Sequence, residues 1–173
     1  MKLYLLTHER EMNKKSNTGR LVKACLGNQA EVIIWKRKEP CVKLIEGIKK
    51  AEIAMLFPAT LTVTELNGGA GEGESNTIEN ESIKLEGINT FSAFVILDAT
   101  WQEARKMYNR SKYLQQAKKI SLQVALPSTY RKRRNQIKGG LSTAECAIQL
   151  LKHKGEIEMA GKLQCEFDQF NLS

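Results

Sequence analysis

With 173 residues, 42% of them hydrophobic and 27% charged, the chain is long enough to bury a core without disulfide or metal staples, and no apolar run could span a bilayer as a helix. Its four cysteines (Cys25, Cys41, Cys146 and Cys165) are widely scattered and it has two histidines, which excludes a zinc ribbon or finger, so no metal is expected. The net charge of +8 is lopsided: residues 105–138 hold 11 Lys or Arg and no Asp or Glu, while all 19 acidic residues lie elsewhere, a pattern that points to a polyanionic partner.

Leu3–Thr7 reads as a first buried strand. The apolar start turns polar at once and offers no small-residue cleavage site, so it is not a signal peptide, and a cytoplasmic location is expected. The polar stretch that follows carries His8, Glu9, Asn17, Thr18 and Gly19. Asn17 or Thr18 reads as the cap of a helix over Arg20–Leu26, and His8 as a surface or hydrogen-bonding residue. Val32–Trp35 is a second strand, and the spacing of Val42, Ile45 and Ile48 predicts a helix over Val42–Ala51. Ile53–Phe57 is an apolar run stopped by Pro58, which lacks an N–H donor. Residues 67–77 read as a flexible Gly-rich loop, because Glu72 and Glu74 would repel a phosphate. Ile83–Ile88 is expected to form a short strand beyond it.

Ala93–Leu97 is a continuous apolar run, as in a central strand covered on both faces. Asp98 ends it, and Thr100-Trp101-Gln102-Glu103 is a capping box opening a helix to about Tyr108. Ile120–Leu126 is the next strand, closed by Pro127. Ser142-Thr143-Ala144-Glu145 is a second capping box, whose helix buries Ala144, Ile148 and Leu151. Gly155 punctuates it before a last amphipathic stretch to about Phe167. Strands alternate with helices throughout, which predicts a single α/β domain over 1–173 with a largely parallel central sheet flanked by helices.

In such sheets ligands bind beyond the carboxyl ends of the strands. Asp98 lies at one of these ends, and two duties are open to it: capping the helix that follows, or chemistry beside a basic surface. The segment Ser128–Gly140 reads as an exposed loop offering Arg131, Lys132, Arg133, Arg134 and Lys138 to a phosphate backbone, with Arg105 and Arg110 earlier in the same acid-free stretch. Tyr130 beside them is placed to stack on an unpaired base.

Four segments, in order, resemble one family. Asp98-Ala99-Thr100-Trp101 is similar to the D-x-T-W signature of the DTW domain. His8-Glu9-Arg10 with Ser16-Asn17-Thr18-Gly19-Arg20-Leu21 resembles its N-terminal block, Leu56-Phe57-Pro58 its L-(F/Y)-P turn, and Leu141-Ser142-Thr143-Ala144-Glu145-Cys146 its L-S-T-x-E-A segment. Four departures stand out. His8 and Glu9 are adjacent, Ser16 replaces a usual Thr and Cys146 a usual Ala; the cysteine-rich segment that opens many relatives is not found ahead of the first strand.

The resemblance implies a SPOUT-like knotted fold. The implied activity is that of a tRNA-uridine aminocarboxypropyltransferase, with S-adenosylmethionine as donor and 5′-methylthioadenosine as by-product. The donor cleft would then be lined by Leu56, Phe57, Pro58, Leu97, Leu126, Pro127 and Leu141. Ser142, Thr143 and the helix they open, which includes Glu145, would receive the donor's carboxylate. Asp98 would deprotonate the uracil or orient it, and Trp101 would pack its helix on the sheet or stack on a base. Three alternatives stay open: a methyltransferase of the same fold, transfer to ribosomal RNA, and a basic RNA-binding module without chemistry. The residues leave the modified uridine and the oligomeric state open, and they call for no membrane partner.

Overall fold

The computed structural model describes residues 1–58, 85–122, 128–132 and 140–173. Five strands, β1 (Lys2–Thr7), β2 (Ala30–Ile34), β3 (Ile53–Pro58), β4 (Ala93–Asp98) and β5 (Lys118–Leu122), form one parallel sheet in the order β2-β1-β4-β3-β5. The chain starts in the middle of the sheet, moves to one edge and returns to build the other half. β1 and β4 pair along their full length, from Lys2 opposite Ala93 to Thr7 opposite Asp98.

The two-residue period of each strand sorts its side chains between two layers. Leu3, Leu5, Phe94 and Ile96 point to one side. There they pack with α1 (Gly19–Leu26), α5 (Thr143–His153) and α6 (Ile157–Leu172) through Val22, Ile148, Leu151, Leu163 and Phe167. Tyr4, Leu6, Met55 and Val95 point to the other side, against α2 (Val42–Lys49), α3 (Trp101–Asn109) and α4 (Lys112–Gln116) through Leu44, Ile48, Met107 and Leu114. Central strands covered on both faces explain why β4 reads as an unbroken apolar run. Both predicted capping boxes form. Glu103 N donates to Thr100 Oγ1 and Thr100 N back to Glu103 Oε2, while Glu145 N donates to Ser142 Oγ and Ser142 N to Glu145 Oε2.

The expected α/β architecture is observed, with local differences. Leu85–Thr90 is a 3-10 turn where a strand over Ile83–Ile88 was expected. Ile88 of that turn plugs the core at 1% exposure. β5 begins at Lys118, two residues ahead of expectation, because ladder bonds at an edge strand come from the backbone and tolerate Lys118 and Lys119. The Gly-rich loop at 67–77, and the end of the run to Leu126 and Pro127, lie outside the described residues. So does much of the chain between β5 and α5 that a knot would thread, although the sheet order is compatible with a SPOUT-like fold. Among the described residues, no helix is long and apolar enough to cross a membrane.

Candidate functional site

Asp98 is the last residue of β4 and is 3% exposed. A carboxylate buried that deeply needs partners, because an unpaired charge out of water costs several kcal/mol. Three neutral donors supply them. Thr7 Oγ1, at the end of the neighbouring strand, donates to Oδ2 at 3.1 Å; Asn17 Nδ2 donates to the same oxygen at 3.0 Å; Thr143 Oγ1 donates to Oδ1 at 2.8 Å. Gly19 lies flat against the group, and a Cβ there would come within 2.5 Å of Oδ2.

The residues that hold Asp98 are themselves tied together. Asn17 Nδ2 also donates to Glu11 O, and Asn17 Oδ1 accepts from Gly19 N at 2.6 Å, an Asx turn that opens α1. Thr18 Oγ1 accepts from Ala144 N at 3.2 Å, so a hydroxyl from one end of the chain caps the first turn of α5. Glu145 accepts from Ser128 Oγ and Thr129 N in addition to Ser142 N, which anchors the start of the basic loop to the same helix end. Tyr130 closes the circuit by donating its hydroxyl proton to Ser16 O. Asn17, Thr18, Gly19, Asp98, Ser142, Thr143 and Glu145, drawn from three distant segments, thus form one hydrogen-bonded assembly at the carboxyl end of the sheet.

A second group of polar residues flanks it. His8 N donates to Asp98 O at 3.1 Å, and the His8 ring stacks on Trp35 with centroids 5.8 Å apart. Glu103 Oε1 is 3.8 Å from His8 Nδ1. Burial pushes the Glu103 carboxyl up, but the hydroxyl and amide of Thr100, with His8 opposite, outweigh it and hold the group below the usual carboxylate range. Glu11, 3% exposed, pairs with Lys14 at 2.5 Å.

Several expected duties change on this geometry. Asp98 does not cap α3, since Thr100 does. Thr18 makes no cap bond to its own helix and serves α5 instead. Of the two hydroxyls expected to receive a donor carboxylate, that of Thr143 donates to Asp98, while Ser142 Oγ accepts from Glu145 N and keeps its own proton to donate. Tyr130, expected as an exposed stacking ring, is 4% exposed and packs on Phe167. Ala99 is buried, and Trp101 is half-buried at the first position of α3. Thr7 escapes a reading of the sequence; its only signal is a strand-end position opposite Asp98.

Leu56 of β3 packs in the layer of α1, α5 and α6, Leu97 of β4 packs against the opposite layer, and Leu141 precedes the helix end bound to Asp98. The Phe57 and Pro58 side chains, like Leu126 and Pro127, are outside the described residues. The basic residues divide between the layers. Arg105 and the exposed Arg110 sit on or beside α3. Arg131 is exposed next to α6, and Lys132 Nζ lies 4.1 Å from the Phe170 ring centroid there. Arg133, Arg134 and Lys138 lie outside the described residues. Ser128, Thr129 and Arg131 line one side of an open groove of about 550 Å³, with Gln164, Asp168 and Asn171 of α6 on the other. No cluster of His, Cys, Asp or Glu suited to a metal ion occurs among the described residues.

Comparison with known proteins gives this arrangement a family. The DTW domain family matches residues 1–172. A protein of Macaca fascicularis, tRNA-uridine aminocarboxypropyltransferase 2, is 27% identical over 148 residues, which are 84% of this chain and 45% of that protein. The chain therefore spans under half the length of that curated relative. No solved structure matches it. A family match over nearly every residue, with the family's signature segments gathered at one end of the sheet, establishes that the chain belongs to the DTW-domain family.

Proposed function

We propose that the chain transfers the 3-amino-3-carboxypropyl group of S-adenosylmethionine to a ring nitrogen of a uridine in tRNA. The DTW match and the name of the macaque relative support transferase chemistry on tRNA. The observation that carries the reading is the convergence of Asn17–Gly19, Asp98 and Ser142–Glu145 at the end of β4, where a parallel sheet places its ligands. The knotted SPOUT-like arrangement belongs to the same proposal.

In this reaction the nitrogen attacks the side-chain carbon next to the sulfonium. The carbon–sulfur bond breaks, sulfur keeps the electron pair as neutral 5′-methylthioadenosine, and the nitrogen's proton leaves to water. Every carbon on a sulfonium is open to attack, so the protein's task is orientation: the aminocarboxypropyl arm must face the RNA. The adenosine contacts proposed from the family segments are Leu56, Phe57, Pro58, Leu97, Leu126, Pro127 and Leu141. The basic residues of the acid-free stretch, Arg105, Arg110, Arg131, Lys132, Arg133, Arg134 and Lys138, supply the phosphate contacts in this reading.

Mass spectrometry of tRNA nucleosides treated with enzyme and donor tests the reading. The expected products are an aminocarboxypropyl uridine and methylthioadenosine. Release of S-adenosylhomocysteine would make the protein a methyltransferase, and modification of ribosomal RNA alone would change the substrate. Charge reversal at Arg110 and at Arg131 should each weaken tRNA binding and lower its salt slope by about one phosphate contact.

A further inference from the structure

We infer that Asp98, the residue at the centre of the signature, is a positioning residue that never touches the uracil; the inference rests on the transfer reaction proposed above. A general base must come within about 2.6–3.2 Å of the proton it takes. Asp98 Oδ2 accepts from Asn17 Nδ2 and lies 3.1 Å from Thr7 Oγ1, whose proton also reaches Leu5 O, and Oδ1 accepts from Thr143 Oγ1. At 3% exposure, with Gly19 packed against the Oδ2 side of the carboxylate, the group is closed off from solvent and from a planar ring as it stands in this structure.

The bonds define the duty instead. Through Thr143, Asp98 fixes the first turn of α5 against the end of β4; through Asn17 it fixes the loop whose Thr18 caps the same turn. Through its own carbonyl it holds the His8 amide. Asp98 thereby sets the position of three backbone segments at the edge where the donor is proposed to bind. It also explains why glycine follows Asn17-Thr18: a side chain at position 19 would displace the carboxylate from its partners.

Asp98→Asn separates positioning from proton transfer. The carboxamide oxygen takes the place of Oδ2 and accepts from Thr7 and Asn17. The amide group faces the Thr143 hydroxyl, which accepts as readily as it donates. The variant should lose less than about tenfold in kcat with an unchanged pH profile, because removing a general base costs roughly 10²–10⁴-fold. Thr143→Val should raise the KM for S-adenosylmethionine several-fold with a smaller change in kcat. A hundredfold or greater loss in Asp98→Asn, with a pH-dependent limb shifted or gone, would overturn the assignment.

Hydrogen exchange at the Ala144 amide gives a readout independent of turnover. Its protection should persist in Asp98→Asn and drop in Asp98→Ala and in Thr143→Val. If the wild type forms no aminocarboxypropyl product, the proposed reaction fails. The exchange comparison still decides the role of Asp98, and unchanged protection in Asp98→Ala would overturn it.

Discussion

The helices α3 and α5 begin with the same local device and end up in different circumstances. Each opens with a hydroxyl and a glutamate three residues on, and each capping box is complete. In α3 the spare capacity of Glu103 is turned toward the partly exposed His8. In α5 the first turn also reaches distant segments: Thr143 bonds Asp98, Ala144 N bonds Thr18, and Glu145 accepts from Ser128 and Thr129. Equal local sequence therefore yields one ordinary helix start and one that ties three parts of the chain together. The difference lies in what each end is buried against.

Substitutions should widen or collapse this contrast. The largest expected effect is Gly19→Ala, whose Cβ would meet Asp98 Oδ2 at 2.5 Å, Asp98 Cγ at 2.8 Å and Asn17 Oδ1 at 3.0 Å. Overpacking of this kind, beside a buried carboxylate, should cost about 3 kcal/mol by denaturant titration. A loss below about 0.5 kcal/mol would mean that the assembly is slack. Next comes the pair Glu145→Ala and Glu103→Ala. The first strands the Ser142 and Thr129 amides and should cost about 2 kcal/mol, while the second loses an ordinary cap and should cost about 1 kcal/mol. Equal losses would erase the contrast between the two ends.

The smallest effect is on pH. Glu103 has a carboxyl held below its ordinary value in the fold, so the stability it contributes is present above the unfolded value. It is lost as pH falls through the lowered folded one. Glu103→Gln should therefore flatten the acid limb of the stability profile in that window, and an unchanged limb would show that the carboxylate contributes nothing there.

Much of the fold is readable from residue order, and the reasons are local. Leu3–Thr7 and Ala93–Leu97 announce themselves as apolar runs, and the two capping boxes as spaced pairs. The five-residue α4 is too short to show a period, and the alternation of Ile83, Leu85 and their polar neighbours looks like a strand although Leu85–Thr90 is a 3-10 turn. The site divides the same way. Asp98, Asn17–Gly19 and Ser142–Glu145 can be singled out as motifs, but their partners cannot. Thr18 looks like a local cap because nothing near it in the chain betrays an amide 126 residues away. Tyr130 takes its apparent exposure from the basic residues around it, while its actual place is set by Phe167 and Ser16.

The sequence separations in that assembly bear on how the protein is made. Asp98 meets Thr7 across 91 positions, Asn17 across 81 and Thr143 across 45. During synthesis β1 and β4 can pair once Asp98 has left the ribosome, yet the third donor emerges only 45 residues later, an interval on the order of seconds. Through that interval the nascent sheet carries a carboxylate that its final fold would bury. The assembly around Asp98 at the carboxyl end of the sheet is thus completed only after α5 has been made, when the strands that bury most of the carboxylate's surroundings already exist.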